Sequence, residues 1–206
     1  VPDFHFEREI VSQGYLSIAG LDEAGRGSLF GPVVAASVMF PLSLIKGKIK
    51  AWLKEIDDSK RISPTKREIL ARKILIHADA VGIGVASSAE IDRKNIYWAS
   101  FEAMKRAFLS MPKAPDFLLV DGFRLNDVNY PQMDLPKGDQ KSISIAAASI
   151  IAKVIRDRMM KRLDLVFDGY ALSKNKGYGT KEHYDALRRL GPTAFHRQSY
   201  NLEGKK

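Results

Sequence analysis

The chain has 206 residues, a length that suits one domain with a small appendage, and at 45% hydrophobic it can build a full core. It contains no cysteine, which excludes a disulfide-stapled fold, thiolate metal sites and a cysteine nucleophile. Its 33 Lys and Arg outnumber 24 Asp and Glu, for a net charge of +9, and so basic a balance favours a polyanionic partner, nucleic acid before an anionic membrane surface.

Residues 7–12 predict a short helix. Residues 15–22 predict a strand running into a turn at Gly25-Arg26-Gly27, and the Val- and Ala-rich stretch 32–40 predicts a second strand, joined to the first as a hairpin. Residues 30–45 are the most apolar stretch, but Gly31, two prolines and two serines interrupt it and it is too short to span a bilayer. The first eight residues lack the charged-then-apolar order of a signal peptide, so a soluble, cytoplasmic protein is expected. Residues 44–56 and 64–80 carry helical periodicity, the second opening on Ser63 as cap with Pro64 at the first helical position. Residues 81–88 predict a third strand and 95–110 a helix. The apolar run Phe117-Leu118-Leu119-Val120 ends at Asp121 and suits a strand buried on both faces, as in a parallel sheet. Residues 144–167, free of Gly and Pro, predict the longest helix, and 180–190 a last one closed by Gly191-Pro192. This order implies a mixed sheet flanked by helices.

Four carboxylates stand where chemistry could use them. Asp22 and Glu23 end the first predicted strand, Asp121 ends the buried one, and Asp139 lies just ahead of the long helix. Taken singly, each is better explained as a helix cap or turn residue. Gathered at one sheet edge they would repel one another and require a cation between them. Hard oxygen ligands select Mg2+ or Mn2+, and two such ions about 4 Å apart are a device for in-line phosphodiester cleavage. Adjacent strand residues point to opposite faces, so Asp22 and Glu23 can share a site only where the strand is breaking into its turn. Periodicity alone does not reach this function.

Gly20-Leu21-Asp22-Glu23-Ala24-Gly25-Arg26-Gly27, followed by Gly31-Pro32-Val33, resembles the opening motif of the ribonuclease HII family. Asp57-Asp58-Ser59-Lys60 is similar to its Asp-Ser-Lys segment and Val120-Asp121-Gly122 to its strand-end aspartate. Lys137-Gly138-Asp139, then 144–149 and 152–157, are similar to its long-helix signature, and Lys176-Gly177-Tyr178-Gly179-Thr180 with His183, His196 and Arg197 to its tail. The ordered set makes the resemblance specific. It implies an α/β, ribonuclease H-like fold with a small C-terminal helical segment. The expected organisation is a lead-in over 1–14, a catalytic domain over 15–170, and a helical segment over 171–206 packed on the same domain.

The resemblance further implies an endonuclease that hydrolyses the RNA strand of RNA–DNA hybrids and nicks 5′ of ribonucleotides embedded in duplex DNA, leaving 3′-hydroxyl and 5′-phosphate ends. Asp22, Glu23, Asp121 and Asp139 would be its catalytic, metal-binding carboxylates, holding two Mg2+ or Mn2+ ions. Gly25, Arg26 and Gly27 would contact the phosphate and the 2′-hydroxyl beside the cut, the one handle that distinguishes RNA from DNA at a single position. Tyr178 would pack on the deoxyribose side of the junction. Lys60 and Lys153 are candidate phosphate contacts, weighed evenly against solvated lysines. Asp157 is expected to pair with a neighbour, and for His183 a helix-surface or core histidine weighs at least as much as a substrate contact. Ser28 and Phe30 stand where family members often have Pro and Ala, and Phe30 is bulky for a turn near substrate. A monomer is the default, and a replication-clamp contact is left open.

Two other readings share parts of the pattern. A DNA-cutting integrase- or resolvase-type nuclease would keep the carboxylates but need no 2′-hydroxyl. A non-catalytic nucleic-acid-binding module would explain the charge and leave the carboxylates without purpose. Phosphate-binding loops fail because Gly25 to Gly31 lacks the Lys-Ser/Thr pair, Gly82-Ile83-Gly84 lacks the third glycine of a dinucleotide fingerprint, and no Gly-x-Ser-x-Gly elbow supports a serine hydrolase.

Overall fold

The computed structural model describes residues 1–204; residues 205 and 206, the end of the expected C-terminal segment, lie outside the described residues. Strands β1 (Ile18–Ala24), β2 (Val33–Met39), β3 (Ala80–Ala86), β4 (Phe117–Asp121) and β5 (Gln132–Leu135) form one sheet in the order β3-β2-β1-β4-β5. The first three are an antiparallel meander, and β4 and β5 add in parallel on the other side of β1. This is the mixed sheet expected from the order of elements.

Both faces are covered, which is why β2 is buried at every position and β4 at all but its last. One face packs on α1 (His5–Ser12), α3 (Pro64–His77) and the long α6 (Ile143–Asp164). The other packs on α4 (Ser88–Arg93) and α5 (Ile96–Leu109). Gly20 lets α6 lie directly on β1: a Cβ there would sit 2.2 Å from the Ser144 backbone carbon. The start of α6 is fixed twice. Ser142 accepts from the Ile145 N–H at 3.2 Å, and the buried Glu7 of α1 accepts from the Ser142 hydroxyl at 2.7 Å and the Ser144 N–H at 3.0 Å. Burial pushes the Glu7 carboxyl above its usual range. A third apolar cluster joins Leu29 and Phe30 to Met160 on α6, to Tyr170, and to Leu172, Ala186 and Leu187 of α7 (Leu172–Asn175) and α8 (Lys181–Leu190).

Several elements differ from expectation, among them the short α7 and the 3-10 turn at Gly138–Gln140, which no pattern predicted. The helix predicted over 44–56 is two pieces, α2 (Leu42–Lys46) and a 3-10 turn at Ala51–Glu55. Gly47 leaves α2 extended, and the Arg8 guanidinium donates to the Ile45 and Gly47 carbonyls at 2.7 and 2.9 Å. The third strand stops at Ala86 because Ser87 and Glu90 form a capping box that opens α4. The short β5 was not expected at all. Its Gln132 side chain bonds Leu125 and Val128 of the preceding loop rather than a neighbouring strand. Among the described residues, no helix is long and apolar enough to cross a membrane.

Candidate active site

The parallel pairing of β1 with β4 ends at Leu21 opposite Val120, so the next residues along the two strands are Asp22 and Asp121. After β5 the chain turns through Lys137, left-handed at φ 57°, into a 3-10 turn at Gly138–Gln140 that carries Asp139. Asp121 Oδ1 accepts from the Gly138 N–H at 2.6 Å, which ties that turn to the end of β4. Asp22, Glu23, Asp121 and Asp139 thereby line one cleft of about 310 Å³, together with Gly25, Arg26, Gly27, Lys60, Lys153 and Tyr178.

β1 does not break at Asp22 and Glu23, contrary to the sequence expectation. It stays in register with β2 as far as Ala24 opposite Val34. Both residues reach the cleft because it opens where β4 stops, and Asp22 Oδ1 takes the Glu23 N–H at 2.6 Å.

The cluster is electrostatically unfavourable as it stands. Burial pushes the Asp22 carboxyl well above the usual range; the charges of Glu23 and Asp121 push it further and the Ser149 hydroxyl pulls part of the way back. Burial raises Glu23 against the opposing pull of Arg26, 3.4 Å from its Oε1. Asp121 is raised by burial against backbone N–H groups of Gly138 and Asp139, and Asp139 by burial and then by the charges of Asp121 and Asp58. The buried Glu23 Oε2 has no hydrogen-bond partner among the described residues. Among the described residues, no three acidic or imidazole side chains are already set at ligating distance. The donor chemistry still fits a hard divalent cation: all-oxygen, acceptor-only when ionised, mutually repelling and incompletely satisfied.

Around the carboxylates, Arg26 lies 5.0 Å from the Tyr97 ring and 5.9 Å from that of Phe123. Lys153 sits 5.2 Å from the Tyr178 ring and donates to Asp157 at 2.8 Å; Asp157 also receives Arg67 at 3.0 Å. Lys60 is exposed at the cleft, and its charge acts on Asp121 and Asp139. It is brought there by Ser59, whose hydroxyl accepts from that of Ser149 at 2.9 Å. Phe30 is not near the cleft: it is fully buried, its ring centroid 5.5 Å from Phe167 and 4.8 Å from His196. Ser28 is buried as well.

His183 and His196, scattered in sequence, form a buried pair with Nε2 to Nε2 at 3.1 Å. The Tyr178 carbonyl, 3.0 Å from His183 Nδ1, can only accept, so that nitrogen carries the proton. His196 Nδ1 accepts from the Thr193 N–H at 2.9 Å, so its Nε2 donates to His183. Sequence reasoning missed this pair, and missed Asp58, whose charge acts on Asp139, and the Tyr97 and Phe123 rings beside Arg26. Asp58 lay within a quoted motif, while the aromatics carried no signal beyond their helix or loop.

A mixed sheet of this order, with carboxylates gathered where its central strands end, is the architecture of ribonuclease H-like, metal-dependent hydrolases. Ribonuclease H2 from Pyrococcus horikoshii superposes with a TM-score of 0.71 at 25% identity, covering 91% of this chain and 95% of that one. Ribonuclease HII from Archaeoglobus fulgidus, solved as a complex with PCNA, gives 0.74 at 26% identity, covering 93% and 98%. The family model "Ribonuclease HII" matches residues 19–203, and the chain belongs to the ribonuclease HII family. Ribonuclease HII of Geobacillus kaustophilus is 49% identical over 195 residues, covering 95% of this chain and 72% of the relative. That of Moorella thermoacetica is 48% identical over 197 residues, covering 96% and 92%. The protein is a metal-dependent ribonuclease H that acts on RNA–DNA hybrids.

Proposed function

We propose that this enzyme also nicks on the 5′ side of single ribonucleotides embedded in duplex DNA, leaving 3′-hydroxyl and 5′-phosphate ends, with Asp22, Glu23, Asp121 and Asp139 as its metal-binding catalytic carboxylates. The observation that carries the reading is one cleft shared by these carboxylates, with Glu23 Oε2 unpartnered, and the Gly25-Arg26-Gly27 turn facing Tyr178. Two divalent ions held there would supply a polarised water in line with the phosphorus and a counter-charge for the leaving 3′-oxygen.

The chain's own residues supply the rest. The Gly25-Arg26-Gly27 backbone can approach the phosphate and 2′-hydroxyl at the cut. Tyr178, backed by Lys153, offers a flat surface to the neighbouring deoxyribose. Lys60 and Lys153 add phosphate attraction that weakens with salt. For a clamp contact the support is that the Archaeoglobus fulgidus relative was solved with PCNA; co-elution of this protein with a replication clamp would test it.

The deciding assay uses an end-labelled DNA duplex with one ribonucleotide and its all-DNA twin, with Mg2+, Mn2+ or chelator. A metal-dependent nick 5′ of the ribonucleotide, with the twin intact, is expected. Cleavage of a long hybrid without that nick would remove single-ribonucleotide recognition from the reading.

A further inference from the structure

Beneath the recognition turn lie two guanidinium groups, Arg156 from α6 and Arg197 from the tail, both fully buried. Among the described residues neither pairs with a carboxylate at salt-bridge distance. Burying an unpaired cation is costly, and the cost must be offset by hydrogen bonds. Nearly all of those bonds go to one short loop. Arg197 donates to the carbonyls of Gly25 and Arg26 at 2.7 Å each and of Gly31 at 3.0 Å. Arg156 donates to the Pro32 and Phe30 carbonyls at 3.0 and 3.1 Å, to the Ser28 hydroxyl at 2.6 Å and to the Lys176 carbonyl at 2.9 Å. The Arg197 N–H takes the Leu29 carbonyl at 2.8 Å, and Tyr200 a second bond to Arg26 O at 2.7 Å.

A trans peptide is planar, with its C=O and N–H on opposite edges. Drawing the Gly25 and Arg26 carbonyls inward therefore turns the N–H groups of Arg26 and Gly27 outward, on the side where these residues line the carboxylate cleft. Among the described residues neither N–H has a partner. Two successive free N–H groups form a concavity suited to an anion. Gly25 completes the arrangement. Its φ is +101°, and a Cβ there would lie 2.0 Å from Arg156 Nε. Arg156 also reaches the second recognition element: its Cζ is 5.5 Å from the Tyr178 ring, and Leu29 and Phe30 N–H groups both bond the Gly177 carbonyl.

We propose that Arg156 and Arg197 are positioning residues for cut-site selection, holding the Gly25–Pro32 loop by its carbonyls so that the Arg26 and Gly27 N–H groups stand as a preset cradle for a phosphate of the nucleic acid. The proposal rests on the reading of the cleft as the place where ribonucleotides are cut. A lysine at either position keeps the charge, but its three donors share one nitrogen and cannot span carbonyls that the guanidinium reaches from three separate nitrogens.

The test measures where the enzyme cuts. The substrate is a DNA duplex with a tract of several ribonucleotides in one end-labelled strand, and cut positions, kcat and KM are compared for wild type, Arg197→Lys, Arg156→Lys and the milder Ser28→Ala. The wild type should favour one position. In Arg197→Lys the distribution should broaden and KM rise about tenfold, the equivalent of one lost interaction, while Mn2+ binding by calorimetry stays at the wild-type level. Ser28→Ala, which removes one Arg156 bond, should shift the distribution in the same direction by a smaller amount. A residue that only stabilises the fold would lower the rate evenly at every position. An unchanged distribution in every variant that is folded by circular dichroism overturns the proposal. A wild type with no ribonucleotide-dependent cut overturns the functional reading instead.

Discussion

Two buried polar assemblies sit on either side of the Gly25-Arg26-Gly27 turn, and they meet the same physical problem in opposite ways. On the guanidinium side every nitrogen of Arg156 and Arg197 donates to an oxygen of the chain. The histidine pair beside it is likewise satisfied from end to end. On the carboxylate side one Glu23 oxygen has no partner and all four acids are held above their ordinary pKa, burial being the first cause in each. A complete network fixes a shape. An incomplete one, made of like charges, is set for something that arrives from outside.

The largest effect should come from the incomplete side. Asp121→Asn should lower cleavage of a hybrid by about 10³-fold, the scale of losing an electrostatic catalytic group, while thermal stability holds or rises because a repelling charge is gone. Cleavage at the wild-type rate would remove Asp121 from the site. On the complete side, Phe30→Ala should cost about 3–5 kcal/mol in urea unfolding, as for other buried aromatics. A cost below about 1 kcal/mol would mean that the third cluster does not hold the loop.

The third effect is one of pH. Burial, and then the neighbouring imidazole, depress His196 to about 4, and burial lowers His183 too. The folded protein keeps both neutral, whereas the unfolded chain takes up protons below about pH 6.5. The pair's contribution is therefore present above that pH and lost as pH falls through about 4. Between pH 7 and 4 the wild type should lose about 3 kcal/mol more than His196→Gln; equal losses would break the account. The smallest effect separates the assemblies directly. The raised carboxylates favour the metal-free fold at low pH, and that contribution is lost as pH rises through their raised values. Mg2+ should accordingly raise the melting temperature more at pH 8 than at pH 5. In Arg156→Lys that difference should persist; its loss would mean the two assemblies are not independent.

The sheet was legible because its strands are apolar and bounded by Gly, Asp and Ser, and the long helix because Gly and Pro are absent from it. The signal for α4 was also present, as Ser87-Ser88-Ala89-Glu90, but it lay at the end of a strand pattern that masked it. β5, Gln132-Met133-Asp134-Leu135, does alternate polar and apolar, but four residues are too few for the pattern to stand out from a loop. The carboxylates were legible as types at strand ends, yet their convergence follows from where β4 stops pairing with β1, which no local pattern encodes. Arg156, Arg197 and His196 were hardest. A buried charge looks the same in sequence as a solvated one, and only the carbonyls converging on it tell them apart.

Gly20 has one more consequence. Because it has no side chain, β1 and α6 meet backbone to backbone, and β1 carries Asp22 while α6 follows directly on Asp139. Much of the aliphatic core beneath the sheet can then drift among residues of similar volume without resizing the gap between the carboxylates. One added methyl at position 20 would do what many changes elsewhere in that core do not.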